Sequence, residues 1–323
     1  MKKNYAITFG FLVSVQFLTA QTVQTFNYTG SLQTFTIPSC VSSIIIDASG
    51  AQGGTNAQGL TGGLGGNATG TLAVTPGDVL NIYVGGINGY NGGGTATHPG
   101  CFNATGGVGG GGSDIRVNSL SVNNRAIVAG GGGGAGGNRM TGCGRGSGGG
   151  GGGGYYGGGG GAGWPYSSQV LPTGGSQSAG GSAGTSSWTS LYNGYPGSLA
   201  QGGNGGIEDQ SNQWGGAVAL AGGVGGGNTG SNGSYSANWT GQSGAGGSSY
   251  TGGVTSGSTS SGTRSGDGVV TITYTSSAPA TPGVITGSAS ICANASGNYS
   301  IVPIPGATTY TWTVPIGSTI NSG

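Results

Sequence analysis

The chain has 323 residues, of which 84 are Gly, and only 4 % are charged. Both lysines (Lys2, Lys3) lie at the extreme N-terminus, so removal of that end leaves five basic and six acidic residues and a net charge of 5 − 6 = −1. Five scattered arginines cannot make the basic patch that counterion release on nucleic acid needs, no Gly-Lys pair exists for a phosphate loop, and a lone His98 with six carboxylates leaves little for acid–base or metal chemistry.

Residues 1–20 read as a secretory signal peptide. Lys2 and Lys3 supply the positive region, Ile7 to Leu18 is largely apolar, and Leu18-Thr19-Ala20 precedes Gln21 as a cleavage site. The apolar stretch is interrupted by Thr8, Gly10, Ser14 and Gln16, which is too short a run for a membrane span, and no later segment reaches 18 apolar residues. Next come strands. Phe26 and Tyr28, then Phe35 and Ile37, alternate with polar neighbours; Ser43 to Ile46 is a short run suited to a buried strand. Leu80, Ile82 and Val84 share one face of 78–84 after the turn pair Pro76-Gly77. Arg125 to Ala129 and Val269 to Tyr274 complete the set. Helical periodicity is absent, so the framework is predicted to be all-β.

Between those strands lie 50–66, 85–111, 130–163 and 174–247, dominated by Gly, Asn and Ser. Gly in such numbers, without a strict period, ordinarily signals disorder. Disorder usually couples low hydrophobicity to high charge, whereas this chain is 33 % hydrophobic and nearly uncharged. Collagen needs Gly at every third position and abundant Pro; here Gly comes in runs such as 130–134 and 148–154, with 11 Pro in all. The reading that remains is packed polyglycine II: extended left-handed helices, three residues per turn, bonded sideways to one another.

The ordered motifs FNYTGSLQTFTIPSCVSSIIIDASGAQGG (26–54), GGLGG (62–66), LNIYVGG (80–86), GGGGSDIR (109–116), RAIVAGGGGGAGG (125–137), GGGGGYYGGGGG (150–161) and GAGGSSY (244–250) resemble the glycine-rich domain of the anaplastic lymphoma kinase and leukocyte tyrosine kinase receptor ectodomains, and similar domains of bacterial secreted proteins. The resemblance covers residues 22–276. It implies a jelly-roll-like β-sandwich, similar to tumour necrosis factor, with an inserted polyglycine II helix bundle; it implies no kinase activity, since no kinase motif is present. Residues 277–283 read as a linker by their Pro, Ser and Gly content. Residues 284–323 resemble the start of a PKD-like, immunoglobulin-type domain, with Tyr310, Trp312 and Val314 alternating with Thr. Some 40 residues is under half of a usual sandwich of roughly 100, so this domain is expected to be partial and to continue past Gly323.

Each candidate site has a plain structural reading beside it. Tyr155, Tyr156, Trp164, Tyr166, Trp188, Trp214 and Trp239 suit sugar stacking or protein anchoring, and equally suit sealing a polyglycine bundle. His98 reads as a base or as a solvated loop residue. The segment 109–116 nearly fits a calcium β-roll repeat, but it occurs once and Arg116 stands where a large apolar residue belongs; Asp114 and Arg116 read otherwise as a structural pair at a strand. Of Cys40, Cys101, Cys143 and Cys292, the first three lie in the glycine-rich region, and Cys101–Cys143 is the favoured disulfide because both lie in Gly-rich loops. No metal site and no cofactor is expected. The sequence thus points to a non-enzymatic, secreted or cell-surface adhesin or structural protein presenting a rigid head to an extracellular protein or glycan. The alternatives are a receptor ectodomain binding a protein ligand and an ice-binding protein; the last would show a flat, regular Thr/Ala face.

Overall fold

The computed structural model describes residues 20–96, 105–138, 148–163, 170–186, 190–207, 229–234, 240–276, 283–287, 296–303 and 319–320. Among the described residues, nine strands carry the framework: β1 (Ala20–Asn27), β2 (Gln33–Thr36), β3 (Ser43–Ser49), β4 (Gly65–Ala73), β5 (Val79–Tyr83), β6 (Ser113–Val117), β7 (Arg125–Ala129), β8 (Thr255–Arg264) and β9 (Val269–Ser276). They form two antiparallel sheets, one of five strands in the order β1-β9-β3-β4-β8 and one of four in the order β2-β5-β6-β7. The first and last strands are neighbours, with β3 on the far side of β9, whereas β5-β6-β7 is a simple meander. The fold is an all-β sandwich, as the alternation predicted.

Period-2 patterning explains the sandwich. In β3, Ile44, Ile46 and Ala48 are buried while Ser43, Ile45 and Asp47 face out, as a pleated strand with one wet face requires. Val270 and Ile272 of β9 and Ala68 and Leu72 of β4 fall in register with them. From the other sheet Leu80, Ile82, Ile115, Ile127 and Ala129 meet this layer in one core, closed at its edge by Phe26, Phe35 and Tyr274. Ile46 pairs with Gly70 on β4, and Val254 fills the space Gly70 leaves: a Cβ there would meet Val254 Cγ2 at 2.3 Å.

The glycine tracts leave one end of the sandwich. Residues 50–54 continue β3, 62–66 lead into β4, 106–112 lead into β6, and 130–136 continue β7. Tract 130–136 bonds to five others. Gly131 and Gly134 donate to Gly153 and Gly150; Gly132 and Ala135 donate to Ala51 and Gly54. Its carbonyls accept in the same rhythm: Gly130 and Gly133 from Gly66 and Gly63, Gly131 and Gly134 from Gly247 and Gly244, Gly132 and Ala135 from Gly110 and Gly107. The partner recurs every third residue. A β-strand has two hydrogen-bonding sides, so this backbone is not a strand, and its N–H and C=O groups are satisfied in several directions as buried backbone must be. Close approach is what demands Gly: a Cβ on Gly131, Gly132, Gly133 or Gly134 would stand 2.1, 1.9, 2.2 or 1.9 Å from a neighbouring carbonyl oxygen.

Candidate functional site

The chemistry-bearing side chains gather where the four-stranded sheet meets the glycine tracts. Ile115 points into the core, so the alternation of β6 turns Asp114 and Arg116 to the outer face of that sheet. Both are buried, and Arg116 Nε donates to Asp114 Oδ1 at 2.7 Å, with a second guanidinium nitrogen 3.2 Å from Oδ2. Asn91, held at a positive φ of 65°, donates to Asp114 Oδ2 at 2.9 Å and to the Gly112 carbonyl at 2.6 Å. A further guanidinium N–H reaches the Leu120 carbonyl at 2.5 Å, and the guanidinium lies 3.9 Å from the centroid of the Tyr83 ring. Asp114 and Arg116 are therefore a structural pair on a strand, and the Asp114 carboxylate has the partners a cation would otherwise provide.

Arg125 begins β7 directly across from Arg116. Among the described residues, no carboxylate pairs with it. Its Nε donates to the Val122 carbonyl at 2.6 Å, and its two terminal nitrogens to the carbonyls of Gly154 and Tyr155 at 2.8 and 3.0 Å. Its guanidinium also stands 4.8 Å from the Tyr155 ring centroid. Burial holds its pKa below the ordinary arginine value, although the group stays charged at any physiological pH. The arrangement pins tract 148–154 to the sheet through one planar donor fork. On the neighbouring edge, burial and the adjacent Tyr83 and Tyr28 raise the Tyr90 phenol above its usual pKa; Tyr28 packs edge-on to Tyr90 and exchanges hydrogen bonds with Asn88.

Of the aromatic residues singled out from sequence, Tyr155 and Tyr156 are described. Both are half-buried. Tyr155 stacks on Tyr250 at 4.0 Å between centroids and 7° between planes, besides its contact with Arg125. Tyr156 meets Tyr155 edge-on at 5.5 Å, and its backbone is held by Ser248. These contacts place both tyrosines at the joint between sheet and tract. Trp164, Tyr166, Trp188, Trp214, Trp239, His98, Cys101 and Cys143 lie outside the described residues. Cys40 is half-buried, at a positive φ of 66°. Sequence reasoning missed Asn91, Tyr83 and Tyr250 as members of this cluster, and took Arg125 only as the start of a strand. A usable signal existed: an Arg heading the buried run RAIVA, in a chain with so few charges, has to be satisfied inside.

A shallow groove of about 580 Å³ opens beside the cluster, lined by Leu32, Val79, Asn81, Asn118, Ser119 and Leu120. Its amides are engaged: Asn81 donates to the Ser119 carbonyl, and Asn118 both accepts from the Val79 N–H and donates to Asp78.

Among known families, a PKD-like domain model matches residues 278–323. A search of curated proteins finds no match. Within the matched stretch, Thr286 and Ser300 form an antiparallel bridge with both backbone hydrogen bonds made. Among the described residues, no helix is long and apolar enough to cross a membrane.

Proposed function

We propose that the chain is a non-enzymatic extracellular protein, an adhesin or structural element, exported by cleavage near Ala20. Residues 22–276 form its head, similar to the receptor glycine-rich domains, and the PKD-like segment begins a stalk. The head is a β-sandwich carrying a bundle of polyglycine II helices. The observation that carries this reading is the three-residue step of the bonds around 130–136. A left-handed helix with three residues per turn has no internal hydrogen bonds, so its donors and acceptors radiate to successive neighbours in that step. Such a bundle is stiff because its cohesion is backbone to backbone, and its outer loops are free to carry recognition residues. The PKD-like match supports an extracellular setting.

In this role the buried charges serve mechanics. Arg125 and the Asp114–Arg116 pair fix the bundle to the sandwich, so a load on the head passes into a sheet instead of a hinge. The partner is an extracellular protein or a glycan. The mature full chain is expected to bind saturably to cells, immobilised matrix proteins or a glycan array. Binding no greater than that of an inert protein of equal charge, on all three, would remove the adhesin reading and leave a passive structural one. Slow amide exchange across 130–136 is expected for the bundle; random-coil exchange there would sink it.

A further inference from the structure

Each sheet of the sandwich ends in two edge strands, and three of the four are guarded. β8 shifts register against β4 between Gly65 and Asn67 and again between Thr69 and Thr71, and irregularities of that kind turn an edge away from further pairing. β7 is covered along its outer side: Val128 and Tyr250 exchange backbone hydrogen bonds at 2.8 Å, and the Gly253 N–H donates to the Ala126 carbonyl. β2 runs only from Gln33 to Thr36, and a short edge offers little to pair with. Among the described residues, β1 has none of these devices. It stays in register with β9 without a shift, from Ala20 opposite Ser276 to Asn27 opposite Val269, and its sequence AQTVQTFN holds neither a charge nor a Pro. Gln21, Val23, Gln24, Thr25 and Asn27 are exposed. Among the described residues, its backbone meets one partner outside β9: Gln33 Nε2, which donates to the Asn27 carbonyl at 2.8 Å.

We infer that β1 pairs edge to edge with β1 of a second copy of this chain, so that two five-stranded sheets join into one antiparallel sheet. The inference goes beyond the binding role proposed above: it makes the chain its own partner, whatever else the head binds. Alternate residues of an edge strand turn their N–H and C=O groups away from the sheet, and another extended backbone is what takes a whole row of them. The sequence of β1 favours a twin. Phe26 points into the core, so Val23, an odd number of residues away, faces outward, where it is 59 % exposed. A twofold axis through Val23, perpendicular to the sheet, sets Val23 beside Val23 of the second copy, Gln21 beside Thr25 and Thr22 beside Gln24. An apolar side chain then covers its twin, carboxamides meet hydroxyls, and no like charges are opposed. The row runs on through Thr273 to Ile45, itself 51 % exposed, in each copy. A contact one strand long falls short of the roughly 1,200 Å² of stable complexes, so the dimer is weak and reversible.

The test uses the full mature chain. Sedimentation velocity over a concentration series should show a reversible monomer–dimer equilibrium. Val23→Lys sets like charges face to face at the axis and should abolish the dimer, with circular dichroism and melting midpoint unchanged because the side chain lies in solvent. Ile45→Lys alters the same face two strands in and should leave the dimer intact. Val23→Cys should form a disulfide-linked dimer under mild oxidation, beyond any wild-type background. Residues opposed in an antiparallel pair lie about 4.5–5.5 Å apart at Cα, within disulfide reach. A wild type that stays monomeric at every concentration overturns the inference. So does a dimer that Val23→Lys leaves intact, a Val23→Cys variant that cross-links no more than wild type, or a dimer that Ile45→Lys abolishes, since faces and not edges would then be in contact. Binding to cells or glycans is scored separately, so failure there removes the adhesin reading and leaves the dimer standing.

Discussion

Replacing Gly134 by Ala adds one methyl, and in most backbones that substitution helps: restricting the unfolded chain is worth about 0.4–1 kcal/mol. Here the opposite should happen. The new Cβ would stand 1.9 Å from the Gly107 oxygen and 2.5 Å from the oxygen of Val108. An unstrained contact needs about 3.5 Å, so tract 106–111 has to retreat by roughly 1.5 Å. That stretches the Gly107 N–H to Ala135 bond, now 2.7 Å, beyond any useful length, and strains Gly110 N–H to Gly132, now 2.8 Å. Each buried group left unpaired costs about 1–3 kcal/mol. Set against the unfolded-state gain, the net loss is roughly 3–5 kcal/mol, among the large effects of single substitutions.

Two further glycines separate the causes. Gly77 has nothing within 4 Å of a built Cβ but a φ of +91°, so Gly77→Ala tests dihedral strain alone, about 1–2 kcal/mol. Gly283 has neither feature, and Gly283→Ala should leave stability unchanged. Urea midpoints of the three variants, with amide exchange at 130–136, give the comparison. If Gly134→Ala costs no more than Gly77→Ala, the close approach of backbones is not what requires glycine, and the bundle as described is wrong.

Asp114→Ala leaves Arg116 buried without its carboxylate and should cost about 3–5 kcal/mol in urea unfolding, whereas Asp114→Ala with Arg116→Met should recover most of that loss; equal stability of the two variants would show the pair to be incidental. Arg125→Lys should behave almost like a deletion, because a point ammonium cannot serve three carbonyls in one plane, and a midpoint matching wild type would count against the clamp. At Asp78, bonds from the Thr75 N–H and the Asn118 amide hold the carboxyl below its usual pKa. A depressed folded pKa means stability present above the unfolded value and lost as pH falls through the folded one, so Asp78→Asn should flatten the acid limb of the melting profile, and an unchanged limb would exclude Asp78 as a contributor.

Strands β3, β5, β7 and β9 were legible because each carries its own apolar alternation or run. β4 and β8 were not. GGNATGTLA has Gly70 where a core side chain belongs, and its inner face is completed by Val254 from elsewhere in the chain. TSGSTSSGTR has no apolar residue, and it becomes a strand through its pairing with β4, with register shifts along the way. Propensity reports what a segment contributes, and these two receive more than they give. The Asp114–Arg116 pair was readable at i, i+2, since that spacing puts both on one face. Its partners Asn91 and Tyr83, and the Tyr155 and Tyr250 rings stacked beside Arg125, come from separate segments, so their convergence is a property of the topology.

The same topology explains why so few charges suffice. The glycine tracts carry few side chains that reach the framework they stand on, Asn91 and Tyr155 among them, so much of their side-chain attachment has to come from the framework itself. Arg125 supplies it from the sheet side: a fork of donors meets carbonyls at Gly154 and Tyr155, groups that any tract must have whatever its sequence. A carboxylate could not do this, since carbonyls only accept, and a hydrophobic contact would need side chains the glycines lack. In this chain the root of the glycine tracts is held by a buried arginine whose donors are aimed at backbone carbonyls.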